Sequence, residues 1–261
     1  MLDQSPFSLP PSQPPGTESD LAFASRRLRQ ALVRCELAPG IYVHEGDLAQ
    51  RFGLGRAAVR VALTELAIAG FVARHARQGW RVAAVDGALA SAIIGARTRI
   101  EPALVEKPID ERNAALLGSL RGAIDAVIGR DDPSARTMAQ QLCRQALDLL
   151  AQQAGGFIAV WLRDLWDHAE RLTRALELAG VTPPAIDPRP LLDALLRGDR
   201  DAALLALQAE QKRFADAIAH GFLAAARLLP QNKPVSVRSR RPRRSTNDRK
   251  PSPTLSEEKS R

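Results

Sequence analysis

Apolar residues recur along this chain with two different periods. From Leu21 to Leu37 they fall at Leu21, Leu28, Leu32 and Val33, which predicts an amphipathic helix capped by Ser19 or Asp20 and stopped by Pro39-Gly40. Ile41–Val43 predicts a short strand and Gly46–Phe52 a short helix. Gly53-Leu54-Gly55 predicts a turn, and Arg56 to Ala69 a second helix ended by Gly70. Phe71–Arg74 and Trp80–Ala83 read as two strands joined by a hairpin turn at His75–Gly79. After Asp86 the helical period takes over. Helices are predicted near 87–106, 110–129, 134–154, 157–179, 189–197 and 200–229, with breaks at Lys107-Pro108, Arg130–Pro133, Gly155-Gly156, 180–190 and Gly198-Asp199. No repeat of fixed period is visible. The pattern divides the chain into 1–18, 19–85, 86–230 and 231–261. The first segment is rich in Pro, Ser and Gln and the last in Pro, Ser and Arg; both are expected to be disordered.

Charge sharpens this division. The net charge of +8 is concentrated in two blocks. Residues 21–85 carry +6, all of the positive charge from Arg, and residues 231–261 carry +7, whereas 86–230 carry −2. Arginine is suited to bidentate contacts with phosphate and guanine, although charge alone fits a solvated basic surface equally well. Two cysteines, Cys35 and Cys143, exclude a disulfide framework and point to a reducing cytoplasm. No apolar run is long enough for a membrane span, and the N-terminus lacks the basic-then-apolar order of a signal peptide.

The segment Gly53-Leu54-Gly55-Arg56-Ala57-Ala58 satisfies the dinucleotide-binding pattern G-x-G-x-x-G/A. That reading requires a buried strand before the first glycine and an acid about 20 residues later. Residues 45–52 instead form an amphipathic helical pattern with Leu48 and Phe52 at i, i+4, and 72–78 contain no acid. A helix-turn-helix fits better. Val59, Ala62, Leu63 and Leu66 gather on one side of the second helix and can pack on Leu32, Leu48 and Phe52. Arg56, Ala57, Arg60 and Thr64 take the adjoining face, where the small Ala57 permits close approach to DNA. No acid stands at i±4 to neutralise either arginine.

These residues resemble the DNA-binding domain of GntR-type bacterial regulators over 28–83. The resemblance is carried by Leu28, Pro39-Gly40-Ile41, Glu45, Leu48-Ala49, the run Gly53 to Leu63, Leu66, Gly70-Phe71-Val72 and Gln78-Gly79-Trp80-Arg81-Val82. It implies a winged helix-turn-helix with its recognition helix at 56–69. Arg56 and Arg60 would read DNA, with Gly55, Ala57 and Thr64 beside them, and Arg77, Gln78 and Gly79 would form the wing tip. The sequence departs from the family at Gly55, where Ser or Thr is usual, at Ala57-Ala58, where Thr-Pro is usual, at Val61 and at Gly46; the operator sequence therefore does not transfer.

The helical region resembles the FadR-like branch with its FCD-type effector domain, through Arg97-x-x-x-Glu101, Gly155-Gly156 and the run 191–207. The fold implied is mainly α: a winged helix-turn-helix followed by an all-helical bundle for effector binding and dimerisation. Many such domains hold a divalent metal on one Asp and three His. Those positions fall here on Leu142, Ala146, Pro188 and Glu210, so no metal cofactor is expected. An effector pocket, if present, would use Leu142, Ala146, Leu149 and either Trp161 or Trp166, with Arg97 and Glu210, and would suit an apolar or weakly polar molecule; the same residues also read as plain core. His168 is expected to form a surface pair with Asp164 at i−4, and His220 to face solvent. The resemblance further implies a homodimer on double-stranded palindromic operator DNA, most often as a repressor, with activation as the alternative. No enzyme motif is found: G-x-S-x-G, H-E-x-x-H, C-x-x-C and the Walker loop are all missing, and His44, His75, His168 and His220 form no sequence cluster. The basic run Arg238 to Arg244 leaves open an architectural, sequence-independent role on nucleic acid.

Overall fold

The computed structural model describes residues 19–130, 132–181 and 186–228. The segments 1–18 and 231–261, expected from sequence to be disordered, lie outside the described residues. Helix α1 spans Asp20–Val33, and Ser19 Oγ accepts from the Ala22 amide at 3.2 Å. The helix ends four residues earlier than its apolar pattern suggests. Cys35 adopts a left-handed backbone (φ 56°), which lets the Leu37 amide turn back to Ala31 O and sinks the Leu37 side chain into the core. Strand β1 is Tyr42–Val43, α2 is Glu45–Phe52 and α3 is Arg56–Ile68. Gly53 closes α2 in the left-handed region (φ 64°), as the turn reading requires. Strands β2 (Val72–His75) and β3 (Gly79–Val82) pair antiparallel, and β1 joins the far edge of β3 in the order β1-β3-β2.

Helices α1, α2 and α3 and the sheet share one core, centred on Leu28, Leu32, Leu48, Val59, Leu63, Leu66, Phe71 and Val82. Burying each such aliphatic or aromatic side chain contributes about 1.5–3 kcal/mol, which is what allows three short helices and a ten-residue sheet to hold one geometry.

A second core begins at Ala90 and is built by α4 (Gly87–Ile100), α5 (Glu111–Val127), α6 (Pro133–Ala154), α7 (Gly156–Leu178), α8 (Arg189–Leu196) and α9 (Arg200–Leu228). Aspartate caps four of these helices: Asp86, Asp110, Asp132 and Asp199 accept from the amides of Leu89, Asn113, Ala135 and Ala202 at 2.7–2.9 Å. The helix expected over 87–106 breaks at Glu101, where a 3-10 turn (Glu101–Val105) takes over. Pro102, at the start of that turn, has no amide to continue the α-helical ladder. The break serves a buried polar network. Arg97 Nε donates to Glu101 Oε1 at 2.7 Å, Trp166 Nε1 donates to the same oxygen at 2.9 Å, and Gln211 Nε2 donates to Glu101 Oε2 at 2.9 Å. The winged part and the helical part pack as one compact unit.

Candidate nucleic-acid interface

Helix α3 divides by burial as its spacing demands. Val59, Ala62, Leu63 and Leu66 are buried, while Arg56, Ala57, Arg60, Val61 and Thr64 are exposed. Packing against α1 and α2 fixes this orientation, so the outward row is set by the core behind it. Gly55 is the N-cap of α3 and supplies no side-chain acceptor, and the first turn holds no acid. The first-turn amides and Arg56 therefore make the start of the helix electropositive. The Arg56 guanidinium lies beside Gly46, with Nη2 3.5 Å from where a Cβ would stand. Thr64 Oγ1 turns back to Arg60 O at 2.9 Å, so its proton is spent within the helix.

Arg60 does have a partner, contrary to the expectation from its own helix. Its Nε donates to Glu45 Oε2 at 2.9 Å, and Glu45 comes from the first turn of α2. The other carboxylate oxygen, Oε1, accepts from Trp80 Nε1 at 3.3 Å. One carboxylate thus ties the exposed face of α3 to strand β3. Burial works to raise the pKa of Glu45, but the hydrogen bonds from Arg60 and Trp80 outweigh it and hold the carboxyl below its usual value. Sequence reasoning missed this bridge because Glu45 and Arg60 stand 15 residues apart, outside any single-helix spacing.

In the wing, Ala76, Arg77 and Gln78 are exposed between β2 and β3. Arg77, not a glycine, takes the left-handed position at the tip (φ 64°). Gly79 faces inward. Its φ is +84°, and a Cβ there would sit 2.7 Å from both Val43 O and His44 Nδ1. Its place is thus structural, letting β3 pass close to β1. Arg74 and Arg81 are exposed on the same sheet and lie over Trp80 and Tyr42 at 5.9 Å.

The helical part gathers only some of the pocket residues named from sequence. Arg97 and Glu210 line a cavity of about 20 Å³ with Glu101, Asp187, Pro188 and apolar neighbours including Leu147 and Leu191. That volume suits about one water molecule. Leu142, Ala146, Leu149 and Trp161 do not line it: Ala146 is fully buried core, Leu142 and Leu149 pack against that core, and Trp161 is exposed beside Phe157. Burial raises Glu210 to a pKa of about 7, despite its ion pair with Arg213. The family's metal does not fit this site. Leu142, Ala146 and Pro188 offer no side-chain donor, and among the described residues no group of three His, Cys, Asp or Glu side chains is placed so that it could hold a metal ion.

His168 is not a surface partner of Asp164. Its Nε2 bonds Ala69 O at 2.8 Å, and its ring stacks on Phe71 at 3.9 Å with the planes 6° apart. Asp164 instead accepts from Arg29. The sequence pairing failed because α7 packs against the winged part, and the closer groups come from there. His220 is exposed, as expected.

A winged helix-turn-helix that turns an arginine-bearing helix face to solvent defines a DNA-binding protein of the transcription-regulator class. Residues 22–82 match the model of bacterial regulatory proteins of the gntR family, and this part of the chain is a GntR-family DNA-binding domain. No curated protein matches the chain in sequence. Among solved structures, McbR/YncC of E. coli superposes with a TM-score of 0.62 at 19% identity, covering 80% of this chain and 99% of that one. The GntR protein of Rhodococcus sp. RHA1 gives 0.55 at 20% identity, covering 78% and 98%. The fold shared with these two extends well beyond the DNA-binding part.

Proposed function

We propose that the protein is a ligand-responsive repressor that binds a palindromic operator as a homodimer. The observation carrying this reading is the outward face of α3, where Arg56 and Arg60 stand free of the core with Glu45 and Trp80 bracing Arg60 from behind. In this reading the two guanidinium groups reach guanine edges in the major groove, and Arg77 and Gln78 contact the adjacent backbone and minor groove. One short helix reads only a few base pairs, so useful specificity requires two half-sites and therefore two copies of the chain. The helical domain supplies the dimer contact.

The effector enters at the Arg97–Glu210 cavity, which must widen to admit anything larger than water. Arg97 Nη1 is buried there without a hydrogen-bond partner, which favours an effector carrying a carbonyl or carboxylate acceptor. No metal takes part. Footprinting on promoter fragments and on random DNA tests the reading. A protected two-fold site supports it; uniform coverage indicates an architectural protein instead. Light scattering of the purified chain checks the dimer, a thermal-shift screen of small acids and aromatic metabolites checks the effector, and a stoichiometric divalent ion in metal analysis would refute the metal-free site.

A further inference from the structure

The contact between the DNA-binding part and α7 contains an electrostatic anomaly. Arg171, on α7, is fully buried. Its Nη2 donates to Ala83 O, just beyond β3, while Nε and Nη1 have no hydrogen-bond partner. Among the described residues no carboxylate forms an ion pair with it. A guanidinium removed from water without a counter-charge is among the least favourable burials a protein makes.

Opposing groups hold the contact together. Arg29 Nη1, on α1, donates to Asp164 Oδ1 and to Asp167 Oδ2, each at 2.7 Å. Arg144 takes the other oxygen of Asp167 at 2.8 Å. Phe71 contacts both the Arg29 guanidinium, 5.3 Å from its ring centroid, and the His168 imidazole stacked on it. Ala69 O can only accept, so His168 Nε2 carries the proton, and burial favours the neutral ring. Cys35 Sγ closes the set with a 3.7 Å bond to Arg171 O.

We propose that this joint is a two-state coupler: Arg29 on Asp164 and Asp167 holds it shut, and the uncompensated Arg171 biases it open. The closed state is the one described above. In the open state Arg171 reaches water, and the DNA-binding part loses its fixed orientation on α7. The joint would then transmit a signal from the helical part to the recognition helix, a consequence that rests on the proposed repressor reading. The opening itself does not rest on that reading, and its test uses no DNA.

The chain carries its own reporters. Cys35 is buried at the joint, and Cys143 is buried inside the helical core. Native-state labelling of the full chain with a thiol reagent, each rate divided by that of the urea-unfolded chain, reads opening at both positions. Arg29→Ala should speed Cys35 labelling by about tenfold and Arg171→Met should slow it by about tenfold, the scale of a local opening equilibrium shifted by one partly buried interaction. Cys143 labelling should not change in either variant. The proposal is overturned if Arg171→Met speeds Cys35 or unfolds the chain, if both cysteines respond in step, or if neither variant alters Cys35. Operator affinity unchanged in both variants, with these labelling results intact, would count against the repressor reading and leave the joint standing.

Discussion

If Glu45 positions Arg60 for base readout, removing the carboxylate should matter only while Arg60 is present. The perturbation is a double-mutant cycle of Glu45→Ala and Arg60→Ala, measured by fluorescence anisotropy on operator and scrambled DNA at one fixed salt concentration. The geometry sets the size. The Arg60 side chain is 69% exposed and that of Glu45 22%, so solvent screening limits their pair to about 0.2–1 kcal/mol of folding stability. The Trp80 bond, at 3.3 Å, is long and adds about 0.5 kcal/mol. On the operator, Arg60→Ala should cost about 1–3 kcal/mol, the worth of one good bidentate base contact. Glu45→Ala should cost about 1 kcal/mol, because a guanidinium free to swing loses part of its preorganisation. The double variant should bind no worse than Arg60→Ala alone. On scrambled DNA the sign reverses: losing a negative charge near the phosphates should strengthen binding. Strictly additive losses would refute positioning. Equal strengthening on both DNAs would mean that Glu45 merely competes with the bases for Arg60.

Other outcomes follow from single sites. Gly79→Ala should destabilise the fold by about 1–2 kcal/mol from the left-handed backbone alone, and by more once its Cβ meets Val43 O and His44, as read by urea denaturation. Phe71→Ala should cost about 3–5 kcal/mol, because the ring is fully buried and also supports His168; thermal unfolding measures it. Glu210 has a folded pKa of about 7, above its unfolded value of about 4.3, so the native state binds the extra proton between these limits. Its contribution to stability is full below the unfolded value and is lost as pH rises towards 7, and Glu210→Gln should flatten the stability profile across that window.

The elements that could be read from sequence are those with local causes. Gly53 and Gly70 end α2 and α3 in left-handed conformations, and the aspartate caps sit where the helical period resumes. The row Arg56, Ala57, Arg60 and Thr64 follows from helical spacing alone, and the structure leaves it exposed. Pro102 is an equally local signal, and it lies inside the helix expected near 87–106, which it breaks. The misassigned contacts have distant causes. Arg29 and Asp164 are 135 residues apart, and Ala69 and His168 are 99 apart. No period in the chain encodes such a pairing, so a local reading pairs His168 with the acid one helical turn before it, Asp164.

Three arginine–carboxylate pairs in this chain show why burial, rather than pairing, decides what an ion pair can do. Arg60, 69% exposed, meets the less exposed Glu45 through Nε alone, so water screens the pair and the outer guanidinium nitrogens stay available to a base edge while Glu45 braces the side chain. Arg97 and Glu101 are only 6% and 2% exposed; separating them would strand two charges, so they fix the core. Arg29 and Asp167, at 28% and 10%, lie between these limits. Such a pair is strong enough to hold two structural units together, yet close enough to solvent for each group to be rehydrated when they part. That intermediate burial sets the joint apart from both the reading face and the core, and it places the adjustable contact between them.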